Sequence, residues 1–436
     1  MSALACFMSD KGHIVAGSDR AFDQDQSHPA ADLFRSKMIT LVPQDGKGID
    51  SSFDLAVFST AVEPDRPEVI RAKEVGVDTK TRPEFLAEIV RKFETISVAG
   101  TSGKSTTSGM LAFLMEGLGL NPNFIGGGRV KQFHRTGNPG NSLSGRSDYL
   151  VIEACESDGS IVNYKPLHTI ILNLDLDHHP VDTTAAMFRR LIENTSGRVV
   201  LNGDDDKLKR LAIKDAVTFS LNNPSAFRAS DIVYRPFTTD FSVNGTAFRL
   251  SLPGKHNLLN ALPCIATLNM MNIPLAEIAS VLREFEGLER RFDIVLNDGE
   301  HLVIDDYAHN PHKIAALMET VAAIKDRVCY IFQPHGFGPT RMMKKEYIGA
   351  FARHLRDPDH LILLPIFYAG GTASKDISSN DLAEGISAGG KSVEVVEERE
   401  TVLNRIERWD TVVVFGARDE TLSTFARAIA ERRRFR

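Results

Sequence analysis

The run "SVAGTSGKSTTSG", residues 97–109, gathers Gly100, Gly103, Lys104 and Ser105 into one short stretch. In such a loop the backbone N–H groups are freed from side-chain bulk and converge on an anion, and a following helix adds its positive N-terminal end. Lys104 would neutralise terminal phosphate oxygens, and the Ser105 hydroxyl would ligate magnesium. The spacing is shorter than in the usual P-loop, and the same residues would also make a tight strand-to-helix turn with a surface lysine. The company the run keeps separates the two readings. "EACESDGS" follows the apolar run "YLVI", and "NLDLDHH" follows "TIIL". Glu156 and His178 therefore stand just beyond the carboxyl ends of strands, where open α/β sheets take their ligands. A carboxylate and an imidazole converging on a phosphate loop suit a second divalent ion, since magnesium favours oxygen ligands and manganese also accepts nitrogen. Taken singly, the acidic patch would be a solvated loop and His179, beside His178, a surface residue.

The elements that must position these groups fall into three blocks, 1–92, 93–292 and 293–436. In the first, "HIVAGSD" (13–19), "MITLVP" (38–43) and "LAVFSTAV" (55–62) alternate with helix-like segments, as parallel strands of a doubly wound sheet do. This block opens on a helix-like segment where such a sheet opens on a strand and a glycine-rich turn. A start codon upstream of Met1, or a sheet lacking its first strand, is the expectation. The second block runs from "TISVAG" through "RVVLNGDD" to "GLERRFD". The third carries five β-like runs: "HLVIDDYA", "RVCYIFQP", "HLILLPIF", "SVEVVEE" and "TVVVFGA". Between the first two of these, Ile314, Leu317, Met318, Val321 and Ile324 mark an amphipathic helix, hence a further α/β sheet.

Composition bounds the function. A chain of 436 residues exceeds the size at which a single core stops growing, so about three domains are expected. The hydrophobic share of 42% contains no run approaching the roughly 20 apolar residues that cross a bilayer. "MSALACFMSDKG" lacks the basic start and long apolar stretch of a signal peptide, so a cytoplasmic protein with no membrane partner is expected. Cys6, Cys155, Cys264 and Cys329 stand far apart with no CxxC pair, which points to buried thiols rather than disulfides or zinc. A net charge of −6 with both signs interspersed leaves no footprint for nucleic acid. The basic tail from Arg432 to Arg436 reads as a solvated helix end.

"GTSGKSTT", "ESDGS", "NLDLDHH", "PGKHNLLNA", "GLERRFD" and "DDYAHNP" stand in the order and spacing of the Mur ligase family, the ATP-dependent amide-bond ligases of peptidoglycan synthesis. The resemblance covers essentially the whole chain. "ESD", "RRFD", "DDYAHNP" and "FQPH" are most similar to the branch that adds L-alanine to UDP-N-acetylmuramate. The resemblance implies a Rossmann-like N-terminal domain for the UDP substrate, a central P-loop ATPase-like domain, and a C-terminal Rossmann-like domain that binds the amino acid and closes on ATP. The partners it implies are small molecules, taken up by a monomer or homodimer. It places ATP on Gly100, Thr101, Ser102, Gly103, Lys104, Ser105 and Thr106, with Asn257 at adenine, Asp306 at the ribose and Arg291 at the γ-phosphate. Ser105 would hold one magnesium, and Glu156 with His178 a second. Asp19, Ser59 and Thr60 are the candidates for the UDP end, and His335 and Arg341 for the amino acid. Without the resemblance, Arg290 and Arg291 would read as a surface ion pair, and Asn257 and Asn260 as a helix cap.

Three residues depart from the alanine-adding pattern. Ser102 and Asn310 stand where that branch has histidines, and Gly336 where it places an arginine for the amino-acid carboxylate; Arg341 is the residue at hand to replace it. A paralogue with another acceptor or amine, such as a muropeptide-recycling ligase, and a non-catalytic ATP-binding relative are the alternatives.

Overall fold

A computed structural model describes residues 1–24, 29–176, 179–368 and 374–434. Contacts divide the chain into two compact units: Met1–Tyr234 with Thr238–Glu286, and Arg235–Phe237 with Gly287–Arg436. No helix among the described residues is long and apolar enough to cross a membrane.

The first unit is built on a ten-stranded sheet. Its central strand, Glu94–Ala99, lies between Tyr149–Glu153 and His168–Ile171 and is parallel to both. Ile96, Val98 and Ala99 are wholly buried, as a parallel strand covered on both faces requires. The parallel order continues through Val199–Asn202 and Val217–Ser220 to Phe227–Tyr234, beyond which Thr239–Val243 and Thr246–Leu250 run antiparallel. On the other side, Asn123–Ile125 is parallel to Tyr149–Glu153, and Ser142–Leu143 closes the edge antiparallel.

The strands expected in residues 1–92 are parallel but do not form one sheet. Ala16–Gly17 pairs with Thr40–Leu41, and Leu55–Phe58 with Asp78–Thr81, as separate two-stranded pairs. Every residue of Leu55–Phe58 is only half-buried, unlike a strand covered on both faces. Asp78–Thr81, "DTKT", carries no apolar pattern to announce it. The helices Ser2–Asp10 and Arg82–Val90 place Leu4, Phe7, Leu86 and Val90 in the same core as Leu150, Ile152 and Phe188 of the large sheet and its Val181–Glu193 helix. That shared core is why the first 92 residues fall in one unit with the ten-stranded sheet rather than apart from it.

The second unit holds a six-stranded sheet in the order Asp293–Asn297, Leu302–Asp306, Thr411–Gly416, Cys329–Gln333, His360–Leu363, Val393–Val395. All neighbours are parallel except the first pair. Alternation of side chains splits its core in two. Tyr330, Phe332, Val413 and Phe415 face the helices Pro311–Ala322, Lys344–His354 and Ser379–Ala388. Cys329, Ile331, Val412 and Val414 face the helix Thr421–Arg434. Asn310 caps the Pro311–Ala322 helix, its Oδ1 accepting the Lys313 amide at 2.9 Å. The basic tail is more than a solvated end, because Arg432 pairs with Glu400 at 2.9 Å and Arg433 donates to the carbonyls of Ile406 and Trp409.

Phe415, on the central strand Thr411–Gly416, stacks on Phe332 with ring centroids 5.0 Å apart. Phe415→Ala is therefore expected to cost about 3–5 kcal/mol in urea unfolding, the range for emptying an aromatic core position.

Candidate active site

In the first unit the strand Glu94–Ala99 ends in the glycine loop, and the helix Lys104–Gly117 begins at its far side. Gly100 and Gly103 hold φ of +139° and +86°, in the region that favours glycine. A Cβ on Gly103 would also lie 2.3 Å from Oδ1 of Asn260, on the neighbouring Lys255–Met270 helix. No side chain caps the Lys104–Gly117 helix, so its first-turn amides face the loop without intrahelical partners. Those amides are the anion-binding groups of the site.

Asn173 holds the loop from the adjacent strand end. Its Oδ1 accepts the Thr101 hydroxyl at 2.7 Å and the Ser102 amide at 2.8 Å, and its Nδ2 donates to the Ser102 carbonyl at 3.0 Å. Ser102 is itself exposed.

Lys104 and Glu156 are 8% and 1% exposed, and Lys104 Nζ lies 2.9 Å from Glu156 Oε2. Nζ also donates to Glu156 Oε1 at 3.2 Å and to the Gly100 carbonyl at 2.5 Å. Burial is the largest single influence and disfavours the Lys104 cation, but Glu156, Cys155 and Glu153 together outweigh it, so the ammonium pKa is raised. Among the described residues Glu156 Oε2 has no partner in hydrogen-bond geometry. A carboxylate oxygen is the kind of ligand a hard divalent cation takes.

Ser105 donates its hydroxyl to Glu153 Oε1 at 3.0 Å, and Glu153 Oε2 accepts the Gly127 amide at 2.8 Å. A Cβ on Gly127 would stand 2.6 Å from that oxygen. Glu153 and Asn173 were not among the residues singled out from the sequence. The run Gly126–Gly128 was the available signal for Glu153, and the position of Asn173 at a strand end the signal for the other. His178 lies outside the described residues; His179 contacts the Ser157 carbonyl at 3.2 Å. Among the described residues no three His, Cys, Asp or Glu side chains form a metal cluster. Asn257, buried on the Lys255–Met270 helix, donates to the Pro253 carbonyl at 2.8 Å. Asp19 and Ser59 follow the strands Ala16–Gly17 and Leu55–Phe58, and Ser59 Oγ accepts the Ala61 amide at 3.3 Å; Thr60 is exposed.

The second unit gathers its expected residues at the carboxyl ends of its central strands. Arg290 and Phe292 adopt φ of +57° and +48°, costly for residues bearing a Cβ. Asp306 holds that turn: its two oxygens accept the amides of Phe292 at 2.6 Å and Ala308 at 2.7 Å. Burial raises the Asp306 pKa against those donors and the nearby arginines. Arg290 is 7% exposed, donates to the Gly416 carbonyl at 2.8 Å and stands 3.6 Å from Asp305, so it is an interior group rather than half of a surface pair. Arg290 and Arg291 both place their guanidinium groups within 5 Å of the Tyr307 ring centre, at 4.9 and 4.8 Å. His309 and His335 meet edge to face at 5.3 Å. Arg341 is held by Asp376 and by the Ser374 carbonyl at 3.0 Å.

Burial lowers His309 to about 3, with Lys313 adding to the effect, and lowers His335 to about 4, with Arg418 adding. In the unfolded chain both rings take a proton near pH 6.5. Stability that is present above that pH is therefore lost as pH falls from about 6.5 toward about 4, because only the unfolded chain gains protons there. Thermal melts at pH 7 and pH 5 are expected to show a steeper fall for the native chain than for a His309→Gln/His335→Gln variant.

Family models match along the chain in order: "Mur ligase family, catalytic domain" over residues 1–94, "Mur ligase middle domain" over 98–268, and "Mur ligase, glutamate ligase domain" over 290–418. The UDP-N-acetylmuramate–L-alanine ligase of Geotalea uraniireducens is 35% identical, aligning 84% of this chain with 82% of its own. That of a Sulfurihydrogenibium species is 30% identical over 99% and 96%. The structure is similar to the crystal structure of UDP-N-acetylmuramate–alanine ligase from Thermotoga maritima, with a TM-score of 0.83 and 27% identity over 100% of this chain and 96% of that one. A murein peptide ligase from Psychrobacter arcticus shares the fold at a TM-score of 0.72 and 20% identity, over 99% and 96%. With one family's domain models matched end to end and a relative aligned along nearly its whole length, the chain belongs to the Mur ligase family.

Proposed function

We propose that this protein is an ATP-dependent ligase that joins L-alanine to the carboxylate of UDP-N-acetylmuramate in peptidoglycan synthesis. The observation that carries the reading is the buried Lys104–Glu156 pair beside a glycine loop whose helix offers uncapped amides. The names of the relatives supply the substrates, and the loop supplies the chemistry.

A carboxylate is a poor electrophile and must be activated before an amine can attack it. One of its oxygens attacks the γ-phosphorus of ATP, forming a C–O–P link as the bond to the β-phosphate oxygen breaks and ADP leaves. The amine then attacks the carbonyl carbon; the C–N bond forms, the bond to the phosphate oxygen breaks, and a proton leaves the nitrogen. Lys104 and the loop amides hold the β- and γ-phosphates and spread the charge that develops in transfer. Gly100, Thr101, Ser102, Gly103, Ser105 and Thr106 complete that cradle. Ser105, and Glu156 with His178, would hold magnesium, which would supply positive charge against the repulsion between triphosphate and carboxylate. Asn257 faces adenine and Asp306 the ribose, each Asp306 oxygen keeping a second lone pair beyond its backbone bond. Arg291 reaches the γ-phosphate. Residues 1–92 take the UDP end through Asp19, Ser59 and Thr60, 93–292 take ATP, and 293–436 take the amine beside His335.

A second reading keeps this chemistry with a different amine, and one observation favours it: Gly336 provides no cation and Arg341 is committed to Asp376. Phosphate release from ATP by the purified protein, with UDP-N-acetylmuramate and each amino acid in turn, separates the two. Release with L-alanine alone supports the first reading, and release with another amine replaces it.

Lys104→Met is expected to lower turnover by about 10²–10³-fold or more. Because it strands Glu156 as an uncompensated buried charge, Lys104→Met/Glu156→Gln is expected to recover melting temperature but not activity. Asn173→Ala, which releases the Ser102 amide and carbonyl and the Thr101 hydroxyl and so frees the loop, is expected to raise the KM for ATP about tenfold, the effect of losing roughly one net hydrogen bond.

A further inference from the structure

The amine substrate brings a carboxylate into the second unit, and the arginines near the carboxyl ends of its strands are almost all committed. Arg290 faces Asp305 and the Gly416 carbonyl. Arg399 binds Asp419 Oδ2 at 2.5 Å, Gln333 Oε1 at 2.9 Å and the Thr421 hydroxyl at 2.7 Å. Arg341 is taken by Asp376, and Arg291 lies over Tyr307.

Arg418 differs from all of these. It is exposed, and among the described residues its guanidinium has no ion-pair or hydrogen-bond partner. It follows the central strand Thr411–Gly416 by two residues. In the ladder Gly416 is level with Gln333 and Phe415 with Asp306, so Arg418 stands over the ends of both neighbouring strands. Open α/β sheets bind ligands at such an edge.

Its backbone is the second sign. Arg418 holds φ of +72°, a conformation that a residue with a Cβ adopts at a cost and that glycine takes freely. The turn buries Ala417 and Asp419 on either side, at 2% and 5% exposure, and throws the Arg418 side chain outward between them. Its amide donates to the Tyr307 hydroxyl at 3.3 Å. Strain of this kind persists where the surroundings over-determine it, and such residues cluster at ligand-binding sites. A glycine would satisfy the turn without strain, so the arginine that stands there calls for another reason. His335 lies within the field of the Arg418 cation.

We infer that Arg418 binds the α-carboxylate of the incoming amino acid, the cationic role for which the sequence offered Arg341. The inference rests on the ligase reading and deepens it: an unpaired guanidinium at the sheet edge takes the planar carboxylate through two parallel N–H donors.

Arg418→Gly tests it, since glycine suits the backbone and the fold should survive with an unchanged or higher melting temperature. With saturating ATP and UDP-N-acetylmuramate, the KM for L-alanine should rise about 10- to 100-fold, as expected for loss of a charge-assisted bond. The preference for L-alanine over L-alaninamide, which lacks the carboxylate, should collapse toward parity, and Arg418→Lys should recover part of it. Arg341→Ala should leave that preference standing. An active native enzyme whose Arg418→Gly variant keeps its KM and its preference overturns this inference and leaves the ligase reading intact. A native enzyme that releases no phosphate with any amino acid overturns both.

Discussion

The first unit is organised around a cation and an anion that burial penalises and that only each other can compensate. Taking Lys104 and Glu156 out of water costs several kcal/mol per ion, repaid only where geometry and further hydrogen bonds are good. The Gly100 carbonyl supplies one such bond to the ammonium, which forces the loop close over the lysine. A Cβ at Gly103 would stand 2.3 Å from Asn260 Oδ1, and one at Gly100 would crowd the Cβ of Leu172 at 3.0 Å. The strand Glu94–Ala99 must then be central, with the strands that lead to Glu156 and Asn173 on either side. Among the described residues Glu156 Oε2 has no hydrogen bond, and its partner is the Lys104 ammonium 2.9 Å away.

The second unit treats charge differently. Two of its imidazoles, His309 and His335, are held neutral by burial with neighbouring cations adding to the effect. Neutral rings at the strand ends shape a crevice without competing for anions. The arginines can then be divided by partner: Arg399 and Arg290 fasten turns, and Arg418 is left facing solvent. The left-handed backbone at Arg290, Phe292 and Arg418 collects at these same strand ends, where strain is tied to position rather than scattered through the sheet.

Much of this was legible in the residues themselves. The glycine loop, its lysine and the carboxylate after the next strand could be placed because each follows an apolar run, and a run's end locates the carboxyl edge of a sheet. Five of the third block's six strands were visible because both faces of a parallel sheet are buried and the runs are continuous, whereas the antiparallel edge strand Asp293–Asn297 was not. What stayed hidden had no local signal. Asp78–Thr81 is a strand of polar residues that pairs with only one neighbour. The merging of residues 1–92 into the core of the large sheet depends on Leu4, Phe7 and Leu86 meeting Leu150 and Ile152, contacts of long sequence separation. Glu153 and Asn173 act through hydrogen bonds to a loop whose shape had to be known first. Asn310, a departure from the alanine-adding pattern, is a helix cap in the structure.

The central claim is that the loop around Lys104 holds a phosphate for transfer to a carboxylate oxygen. Mass spectrometry of the phosphate released from ATP, with UDP-N-acetylmuramate carrying ¹⁸O in its carboxylate, follows that oxygen directly. An acyl phosphate predicts one ¹⁸O atom in each phosphate released during amide formation; phosphate released in step with product but free of the label would contradict the account.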